Sequence, residues 1–245
     1  MGLVIAALGS RLLGGYLFGV AAELHPGVAE VEAVHVAVED PLGREIRAPY
    51  LMDAVRGEAF IEMARASGME LLTDAERDPL QTHTRGTGQL IRHAIRGGAR
   101  RVYVGLGGSA TNDGGCGIAT VFGYRFLDPE GRELEPVGGN LGRIATIIRL
   151  EETAWAHGVE VIAVNDVSNP LWGREGAAFV YARQKGASDA DIAVLDRGLR
   201  QLDALVAEVP EAPLEWHRAL VSAAIEAGRP GRVRAPLERL VERTP

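Results

Sequence analysis

The stretch from Gly105 to Gly115, reading Gly-Leu-Gly-Gly-Ser-Ala-Thr-Asn-Asp-Gly-Gly, constrains the fold of this chain more than any other. Before it, Arg101 to Gly105 reads as a strand. After it, the residues up to Gly123 read as a helix. A glycine loop between strand and helix belongs to α/β proteins, because the backbone can turn sharply and approach closely where no Cβ stands. Unpaired amides and the helix dipole favour an anion at such a junction. Gly107, Gly108, Ser109 and Thr111 are therefore candidates for binding a phosphate or substrate. Asn112 adds a short donor, and Asp113 adds a carboxylate that could take a proton from a substrate hydroxyl or hold Mg²⁺.

The rest of the chain alternates in the same way. Leu3 to Ala7 reads as a strand, Arg11 to Leu24 as a helix and Val31 to Val38 as a strand, together one β-α-β segment. Asp40-Pro-Leu-Gly43 is a turn sequence feeding a second extended segment, which predicts a hairpin. Ala59 to Ala64 reads as a strand. Leu90, Ile91, Ala94 and Ile95 mark one face of a helix from Gly86 to Ile95, with Thr84 or Thr87 as its cap. Glu151 to His157 reads as a helix and Val159 to Val164 as a buried strand. Ser188 and Asp191 resemble a capping box ahead of a long helix whose apolar face is Ile192, Leu195, Leu199, Leu202 and Leu205.

Composition narrows the class. The formal charge is -7, with no basic footprint for nucleic acid. The single cysteine, Cys116, excludes an internal disulfide and fits a reducing, cytoplasmic compartment. The charge-free stretch from Leu12 to Ala22 is too short to span a bilayer as a helix, and no membrane association is expected. The histidines show no close ligand spacing, so no zinc site is predicted.

Three further places carry candidate chemistry. Thr87, in Thr84-Arg-Gly-Thr-Gly88, stands at a helix start where a hydroxyl can meet an anion or simply cap. Asp166 and Asn169 follow the strand ending at Val164, where ligands of α/β sheets gather, although both residue types also form Asx turns. Lys185 is the one lysine among 26 Lys and Arg residues, which points to a need for a compact point charge. Gly105, Gly107 and Ala110 also match a dinucleotide-binding spacing with Asp128 beyond it, but Asp128 falls in a turn instead of at a strand end.

Taken in order, Asp40-Pro-Leu-Gly-Arg44, Ile61-Glu-Met-Ala64, Arg77-Asp-Pro79, Gly86-Thr-Gly-Gln-Leu-Ile91, Gly107 to Gly115, Asn169-Pro-Leu171 and Gln184-Lys-Gly-Ala187 resemble the type I glycerate kinases over about residues 31 to 207. The resemblance implies a mixed or parallel α/β fold with flanking helices and phosphorylation of D-glycerate by ATP with Mg²⁺. Under it Asp113, Asn112, Asp166 and Lys185 form the catalytic set, and Asp113 or Asp166 holds the metal. Gly107, Gly108, Ser109, Thr111, Thr87 and Asn169 contact substrate or phosphate.

The chain also departs from that family. The Asp-Ser-Phe-Lys-Gly expected after the first strand is replaced by Ala7-Leu-Gly-Ser-Arg11, and no counterpart of the family's C-terminal Thr-Gly-Glu-Gly loop follows Val209. The expected organisation is a partial Rossmann-like or flavodoxin-like segment over 1–38, a glycerate kinase-like domain over 39–209 and a divergent helical tail over 210–245. The expectation is therefore an incomplete two-domain arrangement. It leaves open a remnant that binds an anion or a partner without turnover, and an apolar edge that a homodimer would cover.

Overall fold

The computed structural model describes residues 31–150, 158–164 and 169–208. The expected Leu3–Ala7 strand, the Arg11–Leu24 and Glu151–His157 helices, Asp166 and the 210–245 tail lie outside the described residues.

A five-stranded mixed sheet organises the molecule. Strand β2 (Glu45–Asp53) pairs antiparallel with both β1 (Val31–Glu39) and β3 (Glu58–Glu62). β4 (Arg101–Gly105) and β7 (Glu160–Val164) continue the sheet parallel to β3, giving the order β1-β2-β3-β4-β7. The predicted hairpin is present. Asp40 builds its turn, with Oδ1 accepting from the amides of Leu42 and Arg44, while Gly43 supplies the positive φ of 81°. The expected boundary at 38/39 falls within β1, whose residues from Val31 to Glu39 pair with β2 across this turn.

β3 ends two residues before its expected limit. Ala64 instead opens the short helix α1 (Ala64–Ser67), whose entry is set by the Met63 amide donating to the Gly105 carbonyl at 2.9 Å. The next helix, α2 (Arg85–Arg96), buries Leu90, Ile91, Ala94 and Ile95, the face predicted from their spacing. Burial of each large aliphatic side chain contributes about 2 kcal/mol. α2 packs on β1 and on α3 (Cys116–Val121). Gly86 makes the first contact possible, because a Cβ there would lie 1.8 Å from the Glu39 carbonyl oxygen.

Beyond α3, β5 (Tyr124–Leu127) and β6 (Thr146–Arg149) form a separate antiparallel pair. A short helix α4 (Ala177–Tyr181) follows β7 in the chain, and then the 20-residue α5 (Asp189–Glu208). The predicted capping box at Ser188 and Asp191 is formed in both directions, by the Ser188 amide at 2.9 Å and the Asp191 amide at 3.3 Å. Ile192, Leu195, Leu199 and Leu202 of α5 are buried in the main core. On the other face of the sheet, Phe60 and Tyr103 stack with ring centroids 5.0 Å apart.

Candidate active site

Because β3, β4 and β7 are parallel, their carboxyl ends open on one edge of the sheet, where ligands of α/β folds bind. The residues after β3 and after β4 meet there. Ser67 and Gly68 lie beside the loop after β4, with the Ala110 amide donating to the Ser67 carbonyl at 2.8 Å and the Met69 amide to the Gly108 carbonyl at 3.0 Å. This loop holds Ser109, Thr111, Asn112 and Asp113 against a small cavity of about 140 Å³.

Lys185 reaches the same cavity from a tight turn, Arg183–Lys185, that follows α4. Gly186 ends the turn with φ 102°, and a Cβ there would lie 2.0 Å from the Arg77 carbonyl oxygen, so the backbone carrying the lysine is held closely. The Lys185 ammonium donates to Ser109 Oγ at 3.0 Å and to the Thr111 carbonyl at 2.6 Å. Burial pushes its pKa down to about 8, partly opposed by the negative charge of Asp113. The ammonium therefore remains charged at neutral pH in a place that water scarcely reaches.

Asp113 is buried, and its carboxylate is heavily engaged. Oδ2 accepts from the Thr84 amide (2.8 Å), the Thr84 hydroxyl (2.8 Å) and the Gly117 amide (3.0 Å), while Oδ1 accepts from the Gly115 amide (3.1 Å). Thr84 does not cap α2 through its side chain as expected. Its hydroxyl accepts from the Ile118 amide at 3.0 Å, joining the start of α2 to α3. The Cys116 amide donates to the Asp113 carbonyl. Four successive amides, from Gly115 to Ile118, thus have partners inside the protein, and the anion cradle expected of a helix start is taken up by Asp113 and Thr84.

The remaining expected site residues divide sharply. Ser109, Thr111, Asn112, Asp113 and Lys185 share the cavity; Gly107, Gly108, Thr87 and Asn169 are not among its lining residues. Thr87 is fully buried, its hydroxyl paired with that of Ser67 at 2.8 Å. Asn169 donates to the Glu175 carbonyl at 2.9 Å and accepts from the Tyr181 hydroxyl at 2.5 Å, tying the segment before α4 to that helix. Asp128 accepts from the Glu130 and Arg132 amides of its own turn, which leaves the dinucleotide spacing without its ribose-binding acid. The apolar walls, among them Met63, Leu106, Leu171 and Leu199, went unidentified in the sequence because they read as ordinary core positions.

Fold and site together define an α/β protein with a small, largely apolar cavity at the carboxyl ends of parallel strands, edged by a lysine and short hydrogen-bond donors. Among the described residues no helix is long and apolar enough to cross a membrane, and no group of three or more His, Cys, Asp or Glu side chains could hold a metal. A model of the glycerate kinase family matches residues 19–227. The chain is 38% identical over 212 residues to a glycerate kinase of Bacillus cereus, covering 84% of this chain and 56% of that protein. It is 41% identical over 165 residues to a glycerate 2-kinase of Escherichia coli, covering 67% and 43%. A crystal structure from Salmonella typhimurium LT2, assigned as glycerate kinase 2, superposes with a TM-score of 0.75 at 35% identity, over 88% of this chain and 56% of that one. This chain belongs to the glycerate kinase family, and it spans about half the length of the curated relatives it matches.

Proposed function

We propose that this protein phosphorylates D-glycerate with ATP, its site centred on Lys185, Ser109, Asn112 and Asp113. The observation that carries the reading is the placement of the chain's one lysine, buried and hydrogen-bonded to the Ser109–Thr111 loop, at the carboxyl ends of the parallel strands of a glycerate kinase-family fold. In the reaction a glycerate hydroxyl oxygen bonds to the γ-phosphorus as the bond to the leaving ADP oxygen breaks, and the hydroxyl proton is released. Such transfer depends mostly on positioning and on charge stabilisation. Lys185 supplies a fixed positive charge in a low-dielectric site, where it acts more strongly than in water. Asp113 holds the loop in place and keeps the lysine charged.

Mg²⁺, arriving with the nucleotide, would neutralise charge on the phosphates. Asp113 Oδ1, which accepts one hydrogen bond against three on Oδ2, is the carboxylate oxygen among the described cavity residues with room for it. The reading includes a cytoplasmic protein without nucleic-acid partners and a homodimer. The exposed Phe179 and Val180 of α4 support self-association.

The test is ADP release by the folded protein with Mg-ATP, with and without D-glycerate. Glycerate-dependent release that falls at least ~100-fold in Lys185→Met is expected, as for loss of a charge-stabilising donor. A second reading, a remnant that binds a small anion without turnover, is favoured by Ala7-Leu-Gly-Ser-Arg11 standing where the family's Asp-Ser-Phe-Lys-Gly is expected. Folded wild-type protein with no glycerate-dependent release would establish it over the first.

A further inference from the structure

Ser109 and Lys185 carry a chemistry that phosphoryl transfer leaves unused. Ser109 is half-buried on a clamped backbone. Gly108 turns the chain with φ 75°, the Met69 amide donates to the Gly108 carbonyl at 3.0 Å, and the Ala110 amide donates to the Ser67 carbonyl at 2.8 Å. The Ser109 hydroxyl lies 3.0 Å from Lys185 Nζ, which the Thr111 carbonyl orients at 2.6 Å. A hydroxyl beside a base that a third group orients is the arrangement of nucleophilic catalysis, and serine with lysine is one of its recurring pairs. When Nζ is neutral it keeps its bond to Thr111 and accepts from the Ser109 hydroxyl through its lone pair. Burial lowers the lysine pKa to about 8, partly opposed by Asp113, so a minority of molecules holds the neutral amine at neutral pH, near the range a general base needs. Asn112 is only 7% exposed and lines the same cavity, and its Nδ2 has no hydrogen-bond partner. A fixed donor of that kind stabilises the oxyanion of a tetrahedral intermediate. The walls around these groups, Met63, Leu106, Leu171 and Leu199, suit a short aliphatic chain.

We propose that Ser109 and Lys185 form a nucleophile and base pair that cleaves esters of short aliphatic acids, with Asn112 Nδ2 donating to the oxyanion. Ser109 Oγ bonds to the ester carbonyl carbon and passes its proton to Lys185 Nζ. The bond from that carbon to the alcohol oxygen breaks, and Nζ returns the proton to the departing alkoxide. Water then attacks the acyl carbon while Nζ takes its proton, the bond to Oγ breaks, and the proton goes back to Oγ as the acid leaves. This activity goes beyond the kinase reading and does not rest on it: phosphoryl transfer uses the charged lysine, acyl transfer the neutral one.

The test treats the folded full-length protein, without nucleotide, with p-nitrophenyl acetate and locates the acetyl group by peptide mass spectrometry. A burst of nitrophenolate with acetyl on Ser109 is expected, absent in Ser109→Ala and about 100-fold slower in Lys185→Met, as for loss of a general base. The wild type unfolded in urea gives a second arm that does not depend on how the variants fold. Ser109 should acquire no acetyl there, because the lysine is no longer beside it. Acetyl found in the folded wild type only on the N-terminal amine or on Lys185 itself would overturn the proposal. So would labelling of Ser109 at the same rate in urea, or at an unchanged rate in folded Lys185→Met. Because the readout needs no ADP release, a protein that labels on Ser109 and shows no glycerate-dependent turnover would uphold the acyl-transfer pair while rejecting the kinase reading.

Discussion

Lys185 shows how a single side chain can be both a functional asset and a cost to folding. Its pKa falls from 10.5 in the unfolded chain to about 8 in the folded protein, so between those values the unfolded state binds more protons. Stability therefore rises as pH climbs from about 8 toward 10.5, by on the order of 3 kcal/mol. Tyr103 opposes this at higher pH. Burial raises its pKa to about 12, so its contribution is full below pH 10 and is lost as pH rises through 12. Denaturant unfolding at pH 8 and pH 10 should show a rise in the wild type that is absent in Lys185→Met. Asp113 acts through its hydrogen bonds. Asp113→Asn places an amide donor among four donors, and an expected loss of about 3 kcal/mol would appear in the same unfolding measurement at pH 7.

Among the elements, the join between α2, α3 and the sheet fixes the site more than any one helix does. α3 is only six residues long, and its amides are anchored by Asp113 and Thr84 instead of by a ligand. Gly86→Ala would drive a methyl into the Glu39 carbonyl and force α2 away from β1. The expected cost is about 2–3 kcal/mol, read as a lowered denaturant midpoint. Gly186→Ala combines a clash with the Arg77 carbonyl and a positive φ that alanine adopts poorly. It should weaken glycerate binding as well as stability, since the turn it distorts carries Lys185.

The strands and helices were largely legible at this scale, because their signals are local. Val31–Glu39, Arg101–Gly105 and the apolar stripe of α5 lie where periodicity places them. The limits of β3 and the fate of Thr84 were not, since both depend on partners distant in sequence, the Gly105 carbonyl and the Asp113 carboxylate.

For the molecule as a whole, the sheet order places antiparallel strands on one side and parallel strands on the other, with the cavity on the parallel side. Sedimentation equilibrium at micromolar concentration is expected to show a dimer, and charged substitution of the exposed Phe179 and Val180 to shift it toward monomer. A monomeric wild type would reject the dimer.

What the sequence by itself determined is the α/β class, the family and the loop that carries Ser109, Asn112 and Asp113, because alternation, glycine spacing and ordered motifs are properties of neighbouring residues. Only the tertiary structure decided which candidates share a cavity. Lys185 and Ser109 are 76 positions apart and meet because a turn after α4 is locked under Arg77. Thr87 and Asn169, equally eligible by type, are spent on Ser67, Glu175 and Tyr181. Hydrogen-bond partners set by packing, which no local pattern encodes, separate the side chains that line the cavity from those spent elsewhere in the fold.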